Sequence, residues 1–207
     1  MTSVIHPTAI VEPGVEVGEG TSIWSHVHVR PPSRIGAECI IGEKTYIAPR
    51  VRIGSRVKIN ALAYLCAGVT LEDGVMIAAG VIFTNDRYPR ATTPDLLTLR
   101  SSDFGADHGE TLVRQGATVG AGSVIQSGIE IGRFAMIGMG SVVTRPVSDF
   151  QLVRGNAALA VGAVCRCGQV VARFDDDPAQ RNLEVTCTAC GRRYAIASQR
   201  VSEISTR

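Results

Sequence analysis

Three observations predict that residues 1–160 of this 207-residue chain form an all-β, parallel β-helix. Large apolar residues recur every six positions without a slip, from Ile5, Val11, Val17 and Ile23 through to Leu71, Ile77 and Phe83. A mostly small residue stands four positions after each, as at Ala9, Thr21, Ser33, Cys39 and Thr45. Gly or another turn-former often follows the apolar position, in "VGEG", "IGAE", "IGEK" and "IGSR". An α-helix drifts off a six-residue period within two turns. Short β segments with a tight turn every six residues keep it. Hydrophobic content of 45% excludes wholesale disorder, and 5% aromatics beside abundant Val, Ile, Ala and Gly suits a narrow interior.

Repeats of this kind resemble the left-handed parallel β-helix family, in which three hexads make one triangular coil of 18 residues. Residues 18 apart then stack at the strand spacing of ~4.8 Å. One such column reads Pro13, Pro31, Pro49, Ala67, Asn85. Proline suits a corner where no ladder hydrogen bond is needed, so Asn85 is expected on a corner directly above Ala67. Beyond Phe83 the rhythm breaks, and the next apolar position falls at Val113 instead of residue 89. An insertion of 24 residues relative to the lattice, lying within about 86–111, therefore leaves the coil just after Asn85. It is expected to be looped out and structureless, and a long loop in a compact fold is usually functional. The rhythm then resumes through Val119, Ile125, Ile131, Ile137 and Val143.

A net charge of +2 offers no strong field for nucleic acid. No apolar stretch approaches the ~18 residues of a membrane span. The N-terminus lacks a basic region followed by an apolar one, so a cytoplasmic protein is expected. After residue 163 the period is lost and "CRCGQ" and "CTACGRRY" appear. Cys165 and Cys167, then Cys187 and Cys190, each pair followed by Gly, predict a zinc ribbon over 161–207 with four thiolates around one structural Zn²⁺. So small a segment commonly needs a metal to fold. Cys39 and Cys66 read as small fillers within the repeat.

The strings "IWSHVHVR", "RVKIN", "GVTLEDGV" and above all "FTNDRYPRAT" (Phe83 to Thr92) resemble the nucleotide-sugar N-acetyltransferases of the left-handed β-helix class. That resemblance implies acetylation of a 3-amino group on a UDP- or dTDP-linked sugar by acetyl-CoA, in a homotrimer with its site between subunits. It implies that Asn85 holds the substrate amine, an amide oxygen being able to accept an amine N–H. Asp86, Arg87, Tyr88 and Arg90 become contacts for sugar or diphosphate, or anchors of the loop. The stretch "IGMGSVVTRPV" matches the late coils along which the family lays acetyl-CoA, naming Gly138, Gly140, Ser141 and Arg145. Asn156, in "RGNAALAV", falls near the adenine end.

Two departures stand out. Ala67 and Ala79 occupy positions where family members commonly carry Glu and some carry His. His108, in the excursion, is the remaining candidate for a base. Two rival functions follow. One is an inactive β-helix scaffold that binds a partner through its ribbon. The other is a gamma-class carbonic anhydrase, which would need histidines from neighbouring coils to converge on a metal.

Overall fold

The computed structural model describes residues 2–174 and 182–204. From Val4–Ile5 to Val142–Val143 the chain makes 20 strands of two or three residues. No described residue is helical. The strands stack into three parallel faces, beginning with Val4–Ile5, Ile10–Val11 and Glu16–Val17 respectively. Strands on the same side of the excursion pair 18 residues apart, as Ser22 with Ile40 and Lys58 with Met76, and those that flank it pair 42 apart, as Met76 with Thr118. The parallel β-helix expected from the six-residue period is the observed fold.

Each hexad sends two side chains inward, which explains the paired rhythm. Ile41, Ile47 and Ile59 are buried from the large position, and Thr45, Val51 and Ala63 from the small one. The ends differ: Val4 and Ile5 in the first coil are exposed, with no described strand stacked beneath them. Outward positions separate the faces chemically. The third face shows Glu16, Arg34, Arg52, Thr70, Leu112 and Glu130. The second shows Ile10, His28, Tyr46, Tyr64, Ile82, Val124 and Val142.

The corners divide the turn-formers into two kinds. Glycines directly after the apolar position let coils touch: a Cβ on Gly36 would lie 2.6 Å from the backbone carbonyl carbon of Gly54. Three residues after the apolar position the backbone turns left-handed, at Gly20, His26, Glu38, Lys44 and their equivalents. Pro32 occupies this position in one coil and cannot adopt it, its ring fixing φ. Asp86 occupies it in another, and there the chain leaves the lattice.

The excursion returns in register, Thr111–Val113 pairing with Val69–Leu71. Its interior differs from the structureless loop expected. The Asn85 carbonyl accepts the Gly109 N–H at 2.9 Å, and the Asp107 carbonyl accepts that of Arg87 at 3.0 Å. Farther out Thr92 bridges Leu99. The excursion is thus a hairpin, its backbone groups paired across its own stem. Phe104 pins it to the coils: the ring fills the space over Gly68, stacks on His108 at 5.1 Å and receives the Arg50 guanidinium at 5.2 Å.

Beyond the last coil, Gln151–Arg154 joins the first face in parallel, then Leu159–Val164 and Val170–Arg173 extend it antiparallel. The division expected at 160/161 falls inside the strand Leu159–Val164, so sheet hydrogen bonds run through it. Asn182–Thr186, Arg193–Ala197 and Arg200–Ile204 form a separate antiparallel sheet. The stack Phe134–Phe150–Tyr194 ties this sheet to the β-helix.

Candidate active site

The hairpin and the corner beneath it enclose a cleft of about 730 Å³, a volume suited to a small-molecule ligand. Ala48, Cys66 and Ala67 form its coil-side floor, Asn85 and Asp86 its upper corner, and Tyr88, Arg90, Arg100 and His108 its outer wall. The register places Asn85 one coil above Ala67. Asn85 is half-buried, and no hydrogen bond forms to its side-chain amide among the described residues. It is not capping the turn.

His108 is a loop residue, yet its side chain is only 10% exposed. Its Nδ1 accepts the Gly105 N–H at 2.8 Å, which leaves the ring proton on Nε2. That nitrogen faces Asp86 Oδ1 at 3.0 Å. Both ring nitrogens are therefore committed within the chain, and of the pair it is the Asp86 carboxylate, half its surface exposed, that stays open to the cleft. Its charge reaches the coil wall, where it helps hold the Tyr64 hydroxyl and Cys66 thiol above their usual pKa, behind the larger effect of burial. Burial pushes Cys66 to about 12, so this cleft thiol stays protonated near neutrality.

Of the other residues expected here, Tyr88 and Arg90 line the cleft. Arg87 does not: its guanidinium lies over Gly128 in the coil above. The residues expected along acetyl-CoA are divided. Ser141 is wholly buried, its hydroxyl donating to the Gly138 carbonyl at 2.6 Å and accepting the Gly155 N–H at 3.2 Å. Its side chain is a structural bracket and not available to a ligand. Gly138 is required by the chain itself, since a Cβ there would lie 2.9 Å from that of Arg154, whereas Gly140 turns left-handed into open space. Arg145 and Asn156 are exposed, but Arg145 lies across the strand Val142–Val143 from the two glycines.

The aromatic wall was not anticipated. Tyr46 and Tyr64 stack at 5.2 Å, with the His28 ring edge-on to Tyr46 at 5.5 Å. They stand 18 apart in the outward column of the second face, so reading that column would have found them. Arg100 and Phe104, inside the excursion, carried no lattice signal.

The four terminal cysteines converge, their sulfurs all within 4.8 Å of one another. Cys165 lies 3.3 Å from Cys190 and Cys167 lies 3.6 Å from Cys187. Tetrahedral Zn–S bonds of about 2.3 Å would hold sulfurs about 3.8 Å apart, so the set fits that ion. Tyr194 braces it, its hydroxyl donating to the Cys165 sulfur at 3.1 Å and accepting the Arg166 N–H at 3.0 Å. No comparable histidine group exists among the described residues. His6 bonds Thr8, His28 pairs with Glu12 at 2.6 Å and His26 sits in a left-handed corner, so the convergence a carbonic anhydrase needs is not formed.

Residues 14–49 and 50–85 match the family described as bacterial transferase hexapeptide (six repeats), and residues 115–145 match the hexapeptide repeat of succinyl-transferase. Over 204 residues the chain is 41% identical to the dTDP-3-amino-3,6-dideoxy-alpha-D-galactopyranose 3-N-acetyltransferase of Aneurinibacillus thermoaerophilus, covering 98% of this chain and 96% of that one. An N-acyltransferase from Bacillus cereus, solved with dTDP and coenzyme A, shares the fold at a TM-score of 0.53 and 16% identity, covering 80% of this chain and 85% of that one. A Caulobacter crescentus protein solved with CoA and GDP-perosamine superposes at a TM-score of 0.44 and 25% identity, covering 78% of this chain and 58% of that longer one.

Proposed function

Because the chain belongs to the hexapeptide-repeat nucleotide-sugar N-acetyltransferases, we propose that it transfers the acetyl group of acetyl-CoA to the 3-amino group of a dTDP-linked 3-amino-3,6-dideoxyhexose. The observation that carries this is the 41% identity along the whole chain, joined to a ligand-sized cleft with Asn85 at its corner. The Asn85 side-chain oxygen accepts one amine N–H and turns the nitrogen lone pair toward the thioester carbonyl. Acetyl-CoA supplies the activated acyl group. The chain's own task is orientation.

A homotrimer is supported by the outward column of the second face, apolar or aromatic from Ile10 to Val142 apart from His28, against the mostly charged column of the third. An unpartnered apolar stripe on a rigid, repetitive surface fits a second copy of the same stripe. The fit of the four sulfurs supports a structural Zn²⁺ on Cys165, Cys167, Cys187 and Cys190. Desolvation opposes ionisation at Cys187, yet N–H groups of Ala189 and Cys190 and the neighbouring thiols bring its pKa down to about 7.

The test is incubation with acetyl-CoA and dTDP-3-amino-3,6-dideoxygalactose, with the nucleotide sugar followed by chromatography and mass spectrometry. A mass gain of one acetyl group is expected, and Asn85→Ala should lower kcat about 10²-fold, the usual cost of removing one orienting polar group. A folded protein that neither binds acetyl-CoA by calorimetry nor forms product overturns the proposal and leaves the scaffold function.

A further inference from the structure

The cleft has a feature that the substrate class does not explain. Ala67 leaves the coil beneath Asn85 without a charge, while the hairpin delivers a carboxylate, Asp86, to the same corner. Asp86 is the residue at which the chain abandons its left-handed corner, so its side chain is turned into the cleft by the excursion itself. The hairpin stem holds it from both sides, through the Asn85 carbonyl with Gly109 and the Arg87 N–H with Asp107. His108 faces it across that stem and gives it the Nε2–H at 3.0 Å, with the ring locked by Gly105 and Phe104.

Resting on the acetyltransferase reading, we propose that Asp86 is the group that takes the proton from the attacking sugar amine, and that His108 is its positioning residue and not the base. The amine nitrogen forms its bond to the thioester carbon, and the carbonyl pair moves to oxygen. The nitrogen of that adduct, now positively charged, gives one proton to the free oxygen of Asp86. Collapse restores the carbonyl and breaks the carbon–sulfur bond, and the departing thiolate takes the proton from Asp86. Amine and thioester thus become amide and thiol, and the carboxylate is regenerated.

His108 cannot fill this role in the arrangement seen, because its one nitrogen without a proton already accepts from the backbone. What it provides is a hydrogen-bond donor. A side chain that donates without being basic should therefore replace it, and this separates the two assignments. kcat and KM are measured for the wild type, Asp86→Asn, Asp86→Glu, His108→Ala and His108→Gln, with acetyl-CoA and dTDP-3-amino-3,6-dideoxygalactose. Thermal unfolding of each variant is recorded alongside. Asp86→Asn is expected to lose about 10²-fold or more in kcat, the range of a general base, with KM for acetyl-CoA unchanged. Asp86→Glu should recover part of it. His108→Ala is expected to lose about tenfold, and His108→Gln, which still donates, to stand within about threefold of wild type. The proposal is overturned if Asp86→Asn keeps wild-type kcat. It is equally overturned if His108→Gln falls as far as His108→Ala, which would make the ring the base. A wild type without turnover would instead sink the acetyltransferase reading beneath it.

Discussion

Replacing Gly68 by Ala tests whether Phe104 holds the hairpin in place. Gly68 turns left-handed at φ 85°, and a methyl there would lie 2.6 Å from the Phe104 ring. Gly74 makes the equivalent turn at φ 68° with nothing within 4 Å of its added methyl. Both substitutions force an L-residue into the left-handed region at about 1 kcal/mol. For a chain of this size each should lower Tm by about 2–4 °C. Only Gly68→Ala must also push the Phe104 ring back by about 1 Å to reach an ordinary carbon contact of about 3.5–4.0 Å. The ring carries His108 with it through their stacking, so the Asp86–His108 pair shifts by a similar amount. A displacement of about 1 Å near the reacting atoms costs on the order of 10²-fold in rate. Gly68→Ala should therefore lose between about tenfold and 10²-fold in kcat/KM for the nucleotide sugar, while Gly74→Ala stays near wild type. Equal Tm losses with equal activities would refute the anchoring argument.

Two further outcomes are expected. Metal analysis should find one zinc per chain, and Cys187→Ser should abolish it and open residues 161–207 to protease while the β-helix stays protected. A metal-free protein with an intact ribbon contradicts this. On the second face, Val124→Glu should convert a three-chain particle to a single chain in sedimentation, because a lone carboxylate pressed into an apolar contact costs several kcal/mol. Thr70→Glu, on the charged third face, should leave the mass unchanged, and a wild type that sediments as one chain would remove the basis for the comparison.

The β-helix was legible because its code is redundant. Fourteen consecutive hexad positions from Ile5 to Phe83 are large and apolar, so no single residue decides the fold. The same lattice located Asn85 above Ala67 and sized the excursion at 24 residues, as the pairing of Val69 with Thr111 shows. What it could not reach was the interior of the excursion. Once off the lattice a residue has no column, so the pairing of Asp86 with His108 across the stem depended on a hairpin register that the sequence does not announce. The burial of the Ser141 side chain went unread for a related reason. The glycines around it suggested a ligand groove, whereas its position four after Ile137 is an inward one, where a hydroxyl must find partners within the chain.

The excursion also shows how a repeat this rigid acquires chemistry. In a β-helix each coil contacts only its neighbours, so an insertion at a corner disturbs nothing if both flanking strands keep their pairing. The strands Ile82–Phe83 and Thr111–Val113 do keep it, against Tyr64 and Val69–Leu71. The coil itself offers poor material for a site, because its inward positions are sealed in the core and its corners demand glycine or a strained residue. A hairpin leaving at Asp86 escapes both limits. It can bring two titratable groups within 3.0 Å of each other over a floor of alanines, at a corner that Asn85 already marks. The empty position at Ala67 then has a physical meaning. A carboxylate on the coil there would stand beside the one from the hairpin, and two like charges at one site would raise the pKa of at least one of them, so that it takes up a proton more readily. With alanine at that position, the carboxylate at this corner comes from the hairpin.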